Sequence, residues 1–196
     1  MANESDQDLI ERARAGDGPA FGVLVRRHHK SIFRLSLHML RDKAEAEDVT
    51  QETFVRAWQS LARFEGNSQP YTWLYRIAVN LSLNVIRARK TRRPAAEADD
   101  PRVDAWLLAQ GGNTTNPADT SARKQLALAL CDGIDSLSDT LRTTLLLVCV
   151  EGLKLDAVSE ILGCPEGTVA WRVHEARRKL REYLDGRGFE DVEATL

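Results

Sequence analysis

Alternating runs of β-branched residues are missing from this 196-residue chain, which removes the usual signature of half-buried strands. No apolar run approaches the ~20 residues needed to span a bilayer, so membrane insertion is not expected. The opening MANESDQDLIERARAGD lacks the basic and apolar blocks of a secretory signal, which predicts a cytoplasmic protein. Cysteine is scarce. Cys131, Cys149 and Cys164 are odd in number, widely spaced and without a CxxC pair, so they read as reduced thiols filling a core. His28, His29, His38 and His174 show no metal-ligand spacing with them, and neither a metal nor another cofactor is expected. A phosphate loop, a nucleophile elbow and a triad-like set are also lacking, which argues against an enzyme. One further absence is informative: no acidic residue interrupts the sequence between Glu65 and Glu97.

The residues that are present describe a helical protein. A hydrophobic fraction of 43% suffices for packed cores, and a charged fraction of 29% suits a soluble chain. Ser5 or Asp6 can cap a short first helix that Gly16 and Gly18 end. Phe21, Leu24, Val25, Ile32, Leu35 and Met39 repeat with helical period, as do Val49, Phe54, Ala57, Trp58 and Leu61 after an Asp42 or Lys43 start. Breakers cluster from Phe64 to Pro70 and predict a loop. From Pro94 to Ser121, prolines, the Gly111-Gly112 pair and small polar residues mark a linker, within which Val103 to Leu108 could form one short turn. Helical pattern resumes with Leu126, Leu130, Ile134 and Leu137. The chain is therefore expected to be all-α: two small helical domains at 1–93 and 122–186, a flexible acidic linker at 94–121 and a frayed tail at 187–196.

Charge is unevenly spread behind a net value of −2. Asp42, Glu45, Glu47, Asp48 and Glu52 outnumber one lysine, residues 76–93 are purely basic, and Arg172 to Arg181 is basic again. Separate surfaces of opposite sign can serve different partners. In YTWLYRIAVNLSLNVIRARKTRR (71–93), Trp73, Arg76, Asn80, Asn84 and Arg87 share one helix face, while Leu74, Ile77, Ala78, Leu81 and Val85 share another. Rings for stacking, amides for reading and cations for phosphates fit a nucleic-acid surface. Taken alone, the stretch fits a solvated basic face with inward aromatics equally well. Farther on, a short helix with Leu155, Val158, Ile161 and Leu162 meets Gly163-Cys164-Pro165 and a longer basic helix from about Glu166 to Leu184. That is the helix-turn-helix pattern, with Thr168, Trp171, Arg172, Glu175 and Arg178 outward and Arg177, Lys179 and Arg181 available for phosphates. An ordinary antiparallel helix pair with a charged outer face is the alternative.

Three segments together carry a resemblance. AEAEDVTQETFVRAW is similar to the core-polymerase-binding signature of bacterial RNA polymerase sigma factors of the extracytoplasmic-function (ECF) group within the sigma-70 family. FEGNSQPYTWLYRIAVNLSLNVIRARK is similar to their promoter-melting and −10 region, and EGLKLDAVSEILGCPEGTVAWRVHEARRKLREYL to their −35 helix-turn-helix. The order and spacing agree, over roughly residues 20–93 and 125–184, and the first domain looks closest to RpoE-like members. The resemblance implies a transcription initiation factor that binds core polymerase and selects and opens promoters. Asp48, Gln51, Glu52, Phe54 and Trp58 would dock on the β′ clamp helices, with further contact to the β subunit. Asn67 and Ser68, in the loop from Glu65 to Pro70, would help capture a flipped base, and Trp73, Tyr75, Arg76, Asn80, Asn84 and Arg87 would line the path of the unpaired strand. Thr168, Trp171, Arg172, Glu175, Arg177 and Arg178 would meet −35 DNA. A cognate anti-sigma factor is implied as a further partner.

Departures from the family pattern bear on promoter choice. Ala170 and Trp171 stand where a basic or small polar pair is common, and Glu175 where arginine is frequent. A carboxylate there repels phosphate or accepts from a cytosine amino group. Pro70 replaces a commonly aromatic residue and Glu65 a commonly basic one, while Lys154-Leu155-Asp156-Ala157 replaces the usual polar opening of its helix. The competing reading is a free-standing helix-turn-helix regulator, which leaves the acidic helix and the aromatic basic helix without a task.

Overall fold

The computed structural model describes residues 4–90 and 117–189. Within them every regular element is helical. The N-terminal half is a bundle of α1 (Asp6–Arg14), α2 (Gly18–Leu40), α3 (Lys43–Ser60) and α4 (Pro70–Lys90), with a short 3-10 turn at Leu61–Arg63. Its boundaries follow from side-chain chemistry. Ser5 caps α1 through its hydroxyl, which accepts from the Asp8 amide at 3.1 Å, and the Asp8 carboxylate accepts in return from the Ser5 amide. Asp17 caps α2 and Asp42 caps α3, the latter accepting from the Glu45 amide at 2.8 Å. Between α2 and α3 the backbone reverses at Arg41, whose φ of 62° is the one positive value at a non-glycine position among the described residues. Leu9, Ile10, Leu24, Ile32, Leu35, Met39 and Leu40 are completely or almost completely buried where these helices meet. Each such side chain contributes roughly 1.5–3 kcal/mol by leaving water.

The C-terminal half comprises α5 (Pro117–Ser136), α6 (Asp139–Leu145) continued by a π-helical turn (Leu146–Val150), α7 (Leu155–Leu162) and α8 (Glu166–Asp185). Helix α5 begins inside the stretch read as linker, because a proline suits the first helical position and costs no hydrogen bond there. Gly163 ends α7 in the left-handed conformation at φ 63°, and Pro165 stands one position before α8, at its cap. Leu130, Leu137, Leu141, Leu145, Ala176, Leu180 and Leu184 form a local core. Beyond α8, Phe189 packs on that core, while Arg187 lies over the Tyr183 ring at 4.6 Å. Residues 91–116 and 190–196, including the short turn expected near Trp106, fall outside the described residues.

The two halves are not separate beads. Leu146, Leu147, Val158, Ile161 and Val169 belong to the same buried apolar cluster as the N-terminal bundle, and α7 packs against α4. Polar contacts cross the same boundary. Arg41 Nε lies 2.9 Å from Asp135 Oδ1, and Arg76 donates to the Glu160 carbonyl at 2.6 Å. The side chain of Glu151 is completely buried and accepts from Arg34 and Tyr75.

Candidate polymerase and nucleic-acid interfaces

Helix α3 presents an exposed stripe of Asp48, Gln51, Val55 and Trp58, at intervals of three, four and three. Trp58 is 46% exposed, and its ring tilts against that of Phe21 with centres 5.1 Å apart. Val55, 47% exposed, was not singled out from the sequence, although its spacing from Gln51 and Trp58 already placed it on that face. Glu52 borders the stripe and accepts from Arg56 Nε at 2.7 Å. Phe54 lies beneath it: the ring is buried and stacks on His29 with centres 6.2 Å apart. An acidic helix face with a free indole and an isopropyl group is suited to a basic, partly apolar partner surface.

On α4 the outer face carries Arg76, Asn80, Asn84 and Arg87, all exposed, with Arg87 donating to Asn84 Oδ1 at 3.1 Å. Trp73 is half-buried and tilts against Phe64 at 4.8 Å. Tyr75 is 5% exposed and sits apart from that face, its hydroxyl donating to Glu151. Burial first, and then the Glu151 charge, push its phenol well above the ordinary tyrosine range. In the preceding loop Gly66 turns with φ +77°, Asn67 donates to Glu65 at 2.9 Å and Ser68 is half-buried. Arg89, which extended the basic run in the sequence, is tied back to Glu45 at 3.0 Å and to the Leu40 carbonyl.

Helix α8 divides its predicted contacts between an exposed face and its flanks. Ala170, Trp171, His174, Arg178 and Arg181 are exposed, and Trp171 reaches 62%. Thr168, Arg172 and Glu175 are half-buried along one flank of the core-facing stripe, and Arg177 is half-buried along the other. Arg172 reaches the Cys164 sulfur at 3.4 Å and Arg177 the Cys149 sulfur at 3.3 Å. Glu175 is engaged within the helix: Arg178 grips its two oxygens at 2.9 and 2.8 Å and also pairs with Glu182. That grip holds the Glu175 carboxyl below the usual carboxylate range, so it stays ionised. His174 lies on the exposed face as well, three residues from Trp171 and four from Arg178.

Among the described residues, no helix is long and apolar enough to cross a membrane, and no His, Cys, Asp and Glu group is arranged to hold a metal. Sigma-70 region 2 matches residues 24–92 and Sigma-70 region 4 matches residues 128–180. The RNA polymerase sigma-H factor of Pseudomonas aeruginosa is 35% identical over 188 residues, covering 94% of this chain and 96% of that protein. The chain belongs to the ECF group of RNA polymerase sigma factors. The ECF sigma-E factor of Escherichia coli K12 is 34% identical over 179 residues, covering 90% and 92% respectively. In fold, this sigma factor is similar to CnrH, solved with the cytosolic domain of CnrY, at TM-score 0.68 and 24% identity over 93% of this chain and 99% of that one. It is a transcription initiation factor, and one matched region falls on each of the two helical halves.

Proposed function

We propose that this sigma factor divides its work among the three surfaces above. The α3 stripe of Asp48, Gln51 and Trp58, with Val55 added and Glu52 at its edge, docks on core RNA polymerase at the β′ clamp helices. Phe54 supports that face from within. The outer side of α4, from Trp73 and Arg76 through Asn80 and Asn84 to Arg87, holds the opened −10 strand, fed by the loop containing Asn67 and Ser68. Stacking at about 1–3 kcal/mol per base helps to hold a strand but is too little to melt duplex DNA unaided. Helix α8 enters the major groove at the −35 element, with Thr168, Trp171 and Arg172 toward the bases and Arg177 at the backbone.

The observation that carries this reading is the coexistence on one chain of an exposed acidic-aromatic stripe, a basic amide-rich stripe and a helix-turn-helix. The protein has no chemistry of its own in this reading. It acts in the bacterial cytoplasm, and a cognate anti-sigma factor controls it by covering the polymerase-binding surfaces. Purified protein with core polymerase is expected to give specific run-off transcripts that neither gives alone. Failure to form a complex with core at micromolar concentration would overturn the reading.

A further inference from the structure

Glu151 stands just before the helix-turn-helix, in the short connection between the π-helical turn and α7. Its side chain has no exposed surface, a rare state for a carboxylate unless it is fully paired. Arg34 of α2 grips it with two parallel bonds, Nε to Oε1 at 2.8 Å and Nη2 to Oε2 at 2.7 Å. The Tyr75 hydroxyl of α4 donates to Oε2 at 2.7 Å. The donors come from two helices of the N-terminal bundle and the acceptor from the C-terminal half. A bidentate, charge-assisted contact of this kind demands one relative placement of the halves, whereas the apolar surface around it is less particular about geometry.

We propose that Glu151 is an intramolecular latch that closes the C-terminal half of this sigma factor over the first two turns of α4. In the closed form Tyr75 is buried and Arg76 donates to the Glu160 carbonyl, so two of the positions read as strand contacts are occupied by the chain itself. The consequence for DNA rests on that reading of α4, but the latch does not. Closure leaves the α3 stripe open, with Val55 and Trp58 both about half exposed, so polymerase can engage the closed chain. Simultaneous −10 and −35 contact requires the halves to stand roughly 70 Å apart, two turns of DNA, and therefore to separate. The 26 residues between α4 and α5 can span at most roughly 90 Å, which permits that separation. Polymerase and DNA are the partners whose binding favours the open form.

Small-angle scattering of the full chain, with single-strand binding measured in parallel, tests the latch. Wild type should be compact, while Glu151→Gln and Arg34→Gln should raise the radius of gyration by several ångströms at unchanged helical circular dichroism. The exchange Arg34→Glu with Glu151→Arg should make the chain compact again, which mere damage to folding would not. A latch that keeps nine chains in ten closed weakens apparent binding about tenfold. Glu151→Gln should therefore tighten binding to a pool of randomised single-stranded oligonucleotides by about that factor. Identical scattering from wild type and both single variants would overturn the latch. Expansion without tighter strand binding would uphold the latch and overturn the assignment of α4 instead.

Discussion

Phe54 and Trp58 lie four residues apart on one helix, yet one is buried and the other half exposed. The difference predicts opposite phenotypes. Trp58→Ala should weaken core polymerase binding by about 2 kcal/mol, roughly 30-fold, as for an exposed aromatic anchor. Phe54→Ala should instead lower unfolding stability by about 3–5 kcal/mol, because it empties a packed site. Equilibrium denaturation beside a core-binding titration separates the two, and a Phe54 variant that kept its stability while losing core would contradict the assignment. A second residue-scale consequence concerns Glu175. Its grip on Arg178 occupies a cation that the sequence made available to DNA. Glu175→Gln should release it and steepen the dependence of log affinity for duplex DNA on log salt by up to about one. An unchanged slope would mean that Glu182 alone retains Arg178.

At the scale of elements, the C-terminal half depends on how closely α5 approaches α8. A Cβ added at Gly133 would fall 2.5 Å from Leu180 Cδ1 and 3.0 Å from Tyr183 Cδ1. Leu180 is 1% exposed and has little room to yield. Gly133→Ala should thus destabilise the protein by about 1–3 kcal/mol in urea unfolding, although alanine is the better helix former. A stabilised variant would show that α5 can shift outward. Sequence pattern located the helices well because periodicity and caps are local properties: Asp42, Gly163 and the 155–162 helix stand where their chemistry placed them. It was less informative at Pro117, where linker-like composition hid a helix start, and at Phe189, which packs instead of fraying.

For the whole molecule, the acidic and basic surfaces nearly cancel at a net charge of −2. The free sigma factor should therefore bind duplex promoter DNA no better than ordinary non-specific binding, a dissociation constant of about 10⁻⁴–10⁻⁶ M at physiological salt. Fluorescence anisotropy with and without core polymerase checks this. Nanomolar binding by the free protein would instead favour an independent DNA-binding regulator.

The family was legible in the sequence because each of the three segments that carry the resemblance is a contiguous run whose residue types and spacing hold the signal. The outward faces of α3 and α4 were largely legible too, since a helix of known phase exposes fixed positions. Side-chain partners across the chain were not. That Arg34 would meet Glu151, 117 residues away, or that Tyr75 would be drawn from the proposed strand path into an interior bond, depends on how the two halves pack. The basic aromatic stretch at 71–93 contains the means to hold a strand, but only the tertiary structure decides which of its side chains the chain itself has already occupied. Local patterning sets helix phase, whereas a bidentate ion pair on a buried carboxylate requires two distant surfaces to meet in one geometry.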